Sequence, residues 1–219
     1  MAEDPPPSPG PDALKRIVPE IHRLAAGTRL LRVWFQGSPH PSGFAQFRYF
    51  GPTSSRFDHH LPGPGGAPVS GPRGILYAVE KSPMALTTAL AEVFQDSRLI
   101  DLHNEEPTVS IFALERDLPL LDLTAHWATK VGASAALSSG KRATARNWSR
   151  DFYAAYYSKV DGLRYRSSMS GGSDCALAIY ELGATAMPAR PLISLPLAHP
   201  RVAGSVVEAA ERIGYDTKL

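Results

Sequence analysis

The 219-residue sequence contains a single cysteine, Cys175, which excludes an internal disulfide and any zinc site built on several thiolates. A lone thiol fits a reducing compartment, and a cytoplasmic location is the expectation, although a secreted chain without disulfides is also compatible with it. No apolar run approaches the ~20 residues needed to cross a bilayer, so no membrane segment is expected. Charge of one sign is lacking too: 23 basic residues face 21 acidic ones, for a formal net charge of +2. That balance leaves no electrostatic footprint for direct nucleic-acid binding. There is no internal repeat and no Gly-x-Ser-x-Gly nucleophile elbow. With seven histidines and many serines, accidental Ser/His/Asp sets are easy to assemble and carry no weight. Cys175 begins the apolar run CALAIY and reads as a buried small hydrophobe, not a reactive thiolate.

Hydrophobic residues make up 43% of the chain, enough for a sizeable core. Residues 1–12 are acidic and proline-rich, with neither a basic region nor an apolar stretch of the signal-peptide kind. They are expected to form a disordered leader, with a partner-binding polyproline segment as the other reading. The remainder, 13–219, is expected to be one catalytic domain with a core at 28–181 and a C-terminal extension at 183–219. The spacing of Leu14, Ile17, Val18, Ile21 and Leu24 predicts a helix over 13–26, interrupted or restarted at Pro19. Alternation predicts a strand at 28–36, in which Arg32 is the one charged residue amid LLRVWF. Arg32 either faces outward or points into a cleft, where its planar fork suits an anion.

From Gly37 to Arg73 the chain is rich in Gly, Pro and Ser, a composition compatible with a lid. Within this segment, Arg56 and Asp58 either bind substrate or pair with each other. His59 and His60 invite a metal reading, but adjacent side chains on extended backbone point to opposite faces and one ion rarely uses both. No metal site is expected. The stretch RGILYAVEKSPMALTTALAEVFQ then gives a strand at Ile75–Val79, a turn at Ser82-Pro83 and a helix over 84–95. Tyr77 on the strand and Glu92 late on the helix are expected to face a common cleft. Further strands are predicted near 98–102, 108–117, 118–124, 163–167 and 175–181, and helices over 148–159 and 202–215. The loop SGGSDC, Ser170 to Cys175, resembles the pyrophosphate loop of ATP pyrophosphatases. It falls late in the chain, before a strand, and ends in Cys in place of Ser, so a flexible turn is the simpler reading.

Taken singly, Tyr77 reads as a core tyrosine, Glu92 as a solvated helix residue and Ser167 as a strand serine. Taken together, LLRVW with Arg32, SSRFD with Arg56, GILYAVE with Tyr77, TALAEVF with Glu92 and GLRYRS with Ser167 resemble the RES domain, the toxin half of RES–Xre toxin–antitoxin pairs. CALAIY resembles that family's last core strand. Three departures stand out: a longer Tyr77–Glu92 spacing, a long 37–73 segment, and Phe57-Asp58 where the family has Trp-Asn.

The resemblance implies an α+β fold, an ADP-ribosyltransferase-like split β-sheet core flanked by helices. It implies cleavage of the nicotinamide–ribose bond of NAD+ by hydrolysis or phosphorolysis, with NAD+ as substrate and no further cofactor. Glu92, Arg32 and Tyr77 would be catalytic, with Arg56 and Ser167 binding substrate. An Xre-like helix-turn-helix antitoxin is the implied partner. Two other functions stay open at this point: an ADP-ribosyltransferase acting on a protein or nucleic acid, and a non-catalytic nucleotide-binding module.

Overall fold

The computed structural model describes residues 4–38, 42–134, 136–169 and 174–219. It is an α+β structure whose centre is a nine-stranded mixed sheet. The sheet runs β1 (Ile21–Leu24), β7 (Leu118–Asp122), β8 (Gly162–Arg166), β9 (Cys175–Tyr180), β4 (Val69–Glu80), β2 (Arg29–Phe35), β6 (Pro107–Ala113) and β10 (Ile193–Pro196). A further strand, β3 (Arg48–Gly51), pairs with the first half of β4. A separate parallel pair joins β5 (Leu99–Asp101) to β11 (Asp216–Lys218). The helices are α1 (Pro11–Leu14), α2 (Ala85–Val93), α3 (Trp127–Lys130), α4 (Ala136–Ser139), α5 (Arg142–Tyr156) and α6 (Pro200–Ile213).

The period-2 pattern of the strands divides the core. On β4, Leu76 and Ala78 join Leu30, Phe112, Leu177 and Ile179 on one face, covered by Phe44, Phe47 and Met187. Ile75 and Val79 face the other way, into two different clusters. Ile75 packs with Trp148, Phe152 and Tyr156 of α5. Val79 packs with Ala89 and Leu90 of α2 and Val206 and Ala210 of α6. Two helical layers therefore share one sheet face, and Tyr77 lies on the seam between them.

The sheet itself is narrow at that seam. β2 is paired with β6 over seven residues, but with β4 only at Leu30↔Glu80 and Leu31↔Val79. β4 pairs with β9 over five residues, Ile75 to Val79. Past Leu31 the two central strands part, and the gap between them opens toward α2.

Several expectations change. The predicted helix over 13–26 is a single turn, α1, followed by β1 against β7. Pro19 stops the helix, and pairing at the sheet edge overrides the helical spacing of Ile21 and Leu24. Residues 4–10, expected as part of a disordered leader, lie against α5. Pro5 is buried and the Pro6 carbonyl accepts a 2.8 Å hydrogen bond from Trp148 Nε1. Helix α5 begins at Arg142, ahead of the expected 148. Its first turns carry Ala, Thr, Arg and Asn, which give no apolar period to read. The 37–73 segment contains β3 and the start of β4, and residues 183–198 contain β10.

The start of α2 is tied to the far side of the seam. Asp174, buried at the entrance to β9, accepts hydrogen bonds from Ser82 Oγ (2.9 Å) and Thr88 Oγ1 (2.6 Å). Asp174→Ala leaves both hydroxyls without this acceptor. It should lower unfolding free energy by about 1–3 kcal/mol, read from the midpoint of a urea titration.

Candidate active site

Where β2 and β4 part, a cavity of about 300 Å3 opens, lined by Leu31, Arg32 and Val33 on one strand and Tyr77, Ala78 and Val79 on the other. Helix α2 contributes Ala89, Glu92 and Val93, and β8 contributes Tyr165. Ala176 of β9, with Ser54, Ser55, Arg56, Gln95, Asp96 and Arg142, completes the wall and rim. This size falls at the lower end of small-molecule sites. Four of the five residues singled out from sequence, Arg32, Arg56, Tyr77 and Glu92, share this cavity, and the fifth, Ser167, touches Glu92.

Glu92 sits near the end of α2 because Leu90, Ala91 and Phe94 are drawn into the core around it. Its carboxylate is half-buried and accepts a hydrogen bond of 2.6 Å from Ser167 Oγ, which lies just past β8. Burial pushes its pKa above the ordinary glutamate value; the Ser167 hydrogen bond and the charges of Arg56 and Arg142 oppose that shift without cancelling it. Ser167 Oγ in turn accepts from the Met169 backbone N–H at 3.2 Å, which fixes its hydroxyl proton toward Glu92. The Tyr165 ring is buried beside them, and its hydroxyl is held far from ionisation by burial and by the Glu92 charge.

Arg56 is presented by an unusual backbone. Phe57 adopts φ 59°, a left-handed conformation that a bulky residue accepts only when its surroundings hold it there. Its fully buried ring lies 4.6 Å from that of Tyr165, and its carbonyl accepts from Ser149 Oγ at 2.7 Å. The turn sends Arg56 to the cavity and Asp58 into the body. Asp58 accepts from Arg48, Thr53 and His60, including 2.6 Å to His60 Nδ1. Burial alone would raise its pKa, but the His60 hydrogen bond and Arg48 pull it well below the carboxylate range.

Arg56 and Asp58 therefore do not pair with each other. The Arg56 guanidinium donates to the carbonyls of Leu137 (3.2 Å) and Gly140 (2.7 Å), and its own carbonyl accepts from the Tyr77 hydroxyl at 3.0 Å. Burial lowers the Arg56 pKa, while Glu92 acts to restore it. Tyr77 is held in its neutral form by burial. It presents a ring to the cavity, and its hydroxyl is committed to the Arg56 carbonyl.

His59 and His60 do not diverge as extended backbone would send them. Both are buried, with ring centroids 5.4 Å apart. His59 lies between Tyr153 and Tyr180, each 4.5 Å from it.

Arg32 lines the cavity, but alternation along β2 turns its side chain with Leu30, away from Leu31 and Val33. There its Nη1 donates to the carbonyls of Gln46 (3.1 Å) and Phe44 (3.4 Å). Burial, with Arg48 nearby, lowers its pKa to about 10, which still leaves it cationic at neutral pH. The guanidinium thus holds the 44–46 segment against that face of the sheet and adds positive charge beside the cavity.

Sequence reasoning missed Tyr165 and Arg142. Tyr165 was visible as the residue two before Ser167 in the GLRYRS motif. Arg142 lies ahead of the expected helix start at 148, in a stretch given no role. The SGGSDC loop falls largely outside the described residues, at 170–173. Among the described residues no group of three or more His, Cys, Asp or Glu is placed to hold a metal ion, and no helix is long and apolar enough to cross a membrane.

A family model described as the RES domain matches residues 29–201. The chain belongs to the RES-domain family. The matched span starts on β2 and ends in the first turn of α6, so it contains every cavity residue named above. No curated protein matches the sequence. Among solved structures, this RES-domain chain is similar to a chain of the M. tuberculosis MbcT–MbcA toxin–antitoxin complex. The identity is 13%, with 84% of this chain and 92% of that chain covered and a TM-score of 0.49.

Ser167 donates to the charged form of Glu92, so removing it should raise the Glu92 pKa further. In Ser167→Ala, carbon-detected NMR titration should place the Glu92 midpoint at higher pH than in the unaltered protein. An unmoved midpoint would show that the hydrogen bond does not tune this carboxylate.

Proposed function

We propose that this RES-domain protein cleaves the bond between nicotinamide and ribose of NAD+, consuming the dinucleotide. The observation that carries the reading is the Glu92 carboxylate, half-buried, oriented by Ser167 and facing a cavity walled by the aromatic rings of Tyr77 and Tyr165.

The chemistry follows from what the bond needs. Nicotinamide leaves as a neutral ring, taking the electron pair of the glycosidic bond, and positive charge develops on the ribose. A carboxylate beside that sugar, in a site where water screens poorly, stabilises the charge as it forms. Tyr77 and Tyr165 offer flat faces to the cationic nicotinamide ring before it departs. An oxygen of water or phosphate then bonds to the sugar carbon and gives up a proton, which Glu92, with its raised pKa, is suited to take. Arg56, its guanidinium held by the carbonyls of Leu137 and Gly140, adds positive charge to the cavity wall. Arg32 serves by adding positive charge at the cavity and by tying β2 to the 44–46 segment on the other face of the sheet. The resemblance to RES toxins extends the proposal to an ADP-ribosyltransferase-like arrangement, to growth arrest by loss of NAD+, and to an Xre-like antitoxin that covers the cavity.

The direct test is nicotinamide release from NAD+ with and without added phosphate. Glu92→Gln keeps shape and removes charge, so release should fall on the order of 10²–10³-fold while NAD+ binding is retained. Label from NAD+ should appear in free ADP-ribose or its phosphate. Label fixed on protein or nucleic acid would mean a transferase, and NAD+ binding without nicotinamide release would mean a non-catalytic module. Unimpaired release by Glu92→Gln would remove Glu92 from the mechanism.

A further inference from the structure

Arg142 opens α5 at the rim of the cavity. Its fork lies against Asp96, just past the end of α2, with Nη2 2.9 Å from Oδ1 and Nη1 3.4 Å from Oδ2. The two partners are unequally placed. The Asp96 side chain is 74% exposed, whereas that of Arg142 is 27% exposed. A planar guanidinium grips the oxygens of a carboxylate and of a phosphate with the same geometry. A carboxylate lying this far into water is held weakly and is readily exchanged for another anion.

The remaining cations fit this division of labour. Arg32 is turned to the other side of β2 and engaged with backbone carbonyls. Arg56 binds the carbonyls of Leu137 and Gly140, which fixes the chain immediately ahead of α5 and so fixes the rim from which Arg142 projects. If the sugar that bears nicotinamide lies against Glu92, the chain of phosphates that follows it runs outward, toward Gln95, Asp96 and Arg142.

We propose that Arg142 binds the phosphates of the dinucleotide at the mouth of the cavity, and that Asp96 is a built-in competitor which the phosphates displace. The inference rests on reading the cavity as the NAD+ site, and adds to it a specificity-determining pair. Arg142 discriminates for a phosphate-bearing substrate, and Asp96 lowers affinity for it by occupying the same fork. A plain staple between α2 and α5 predicts something different. Breaking it from either side would loosen the rim, and both substitutions would act in the same direction. Competition gives opposite signs.

The experiment is calorimetric titration of the full chain with ADP, which carries the phosphates and has no bond for the enzyme to cleave. Asp96→Asn should bind ADP a few-fold more tightly than the unaltered protein. Arg142→Ala should bind it about tenfold more weakly, and Arg142→Lys should fall between, since it keeps the charge and loses the fork. Thermal melts of the three variants identify any that fail to fold, and the Asp96→Asn and Arg142→Lys pair still separates the two signs if Arg142→Ala does. Equal ADP affinity in Arg142→Ala and the unaltered protein would overturn the proposal, as would weakening by both substitutions alike. So would no ADP binding at millimolar concentration by a protein that releases nicotinamide from NAD+, and in that case the reaction itself stands. The expected ADP responses in a protein that releases no nicotinamide would keep Arg142 as the phosphate ligand and sink the reaction instead.

Discussion

A carboxylate withdrawn from water has to be held by something, and in this protein the hydroxyl of Ser167 holds Glu92 at 2.6 Å. The rest of the structure can be read as the means of bringing those two side chains together. Glu92 comes from a helix packed on β2 and α6, Ser167 from the end of a strand on the far side of β4. They meet only because the sheet between them is continuous at Leu30↔Glu80 and Leu31↔Val79 and then parts. Had β2 and β4 stayed paired past that point, the cavity would be filled by strand.

Three polar side chains around the split are committed to backbone carbonyls, which ties each to a neighbouring segment. Tyr77 is bound to the Arg56 carbonyl, Arg56 to Leu137 and Gly140, and Arg32 to Phe44 and Gln46. Behind them Asp58, fully buried, gathers Arg48, Thr53 and His60. This buried hub holds the Phe57 turn in its left-handed conformation. In the proposed reaction, groups fixed in this way would meet developing charge with little reorganisation.

Much of this was legible in the sequence. The strand–turn–helix unit around Tyr77 and Glu92 showed itself through β-branched and aromatic runs followed by Leu90, Ala91 and Phe94. Five short motifs in order pointed to the RES domain, which the match over 29–201 bears out. What was not legible had physical reasons. The 13–26 segment carries a helical period, yet the edge of the sheet captured it as β1. The direction of Arg32 depends on which face of β2 Leu30 occupies, which no local pattern states. Arg142 was hidden because the first turns of α5 are small and polar, and their helix is stabilised by packing of Trp148 and Phe152 farther along. The pairing of Asp58 with Arg48 and His60 in place of Arg56 follows from the Phe57 turn, which has no sequence signature.

The central claim is spatial: the sugar whose bond breaks lies against Glu92, between Tyr77 and Tyr165. A crystal structure of Glu92→Gln soaked with NAD+ tests it most directly. The account predicts the nicotinamide ring against the two tyrosines, with the adjoining ribose within hydrogen-bond reach of residue 92. A dinucleotide bound elsewhere on the protein, or lying in the cavity with its adenine end toward residue 92, would contradict it.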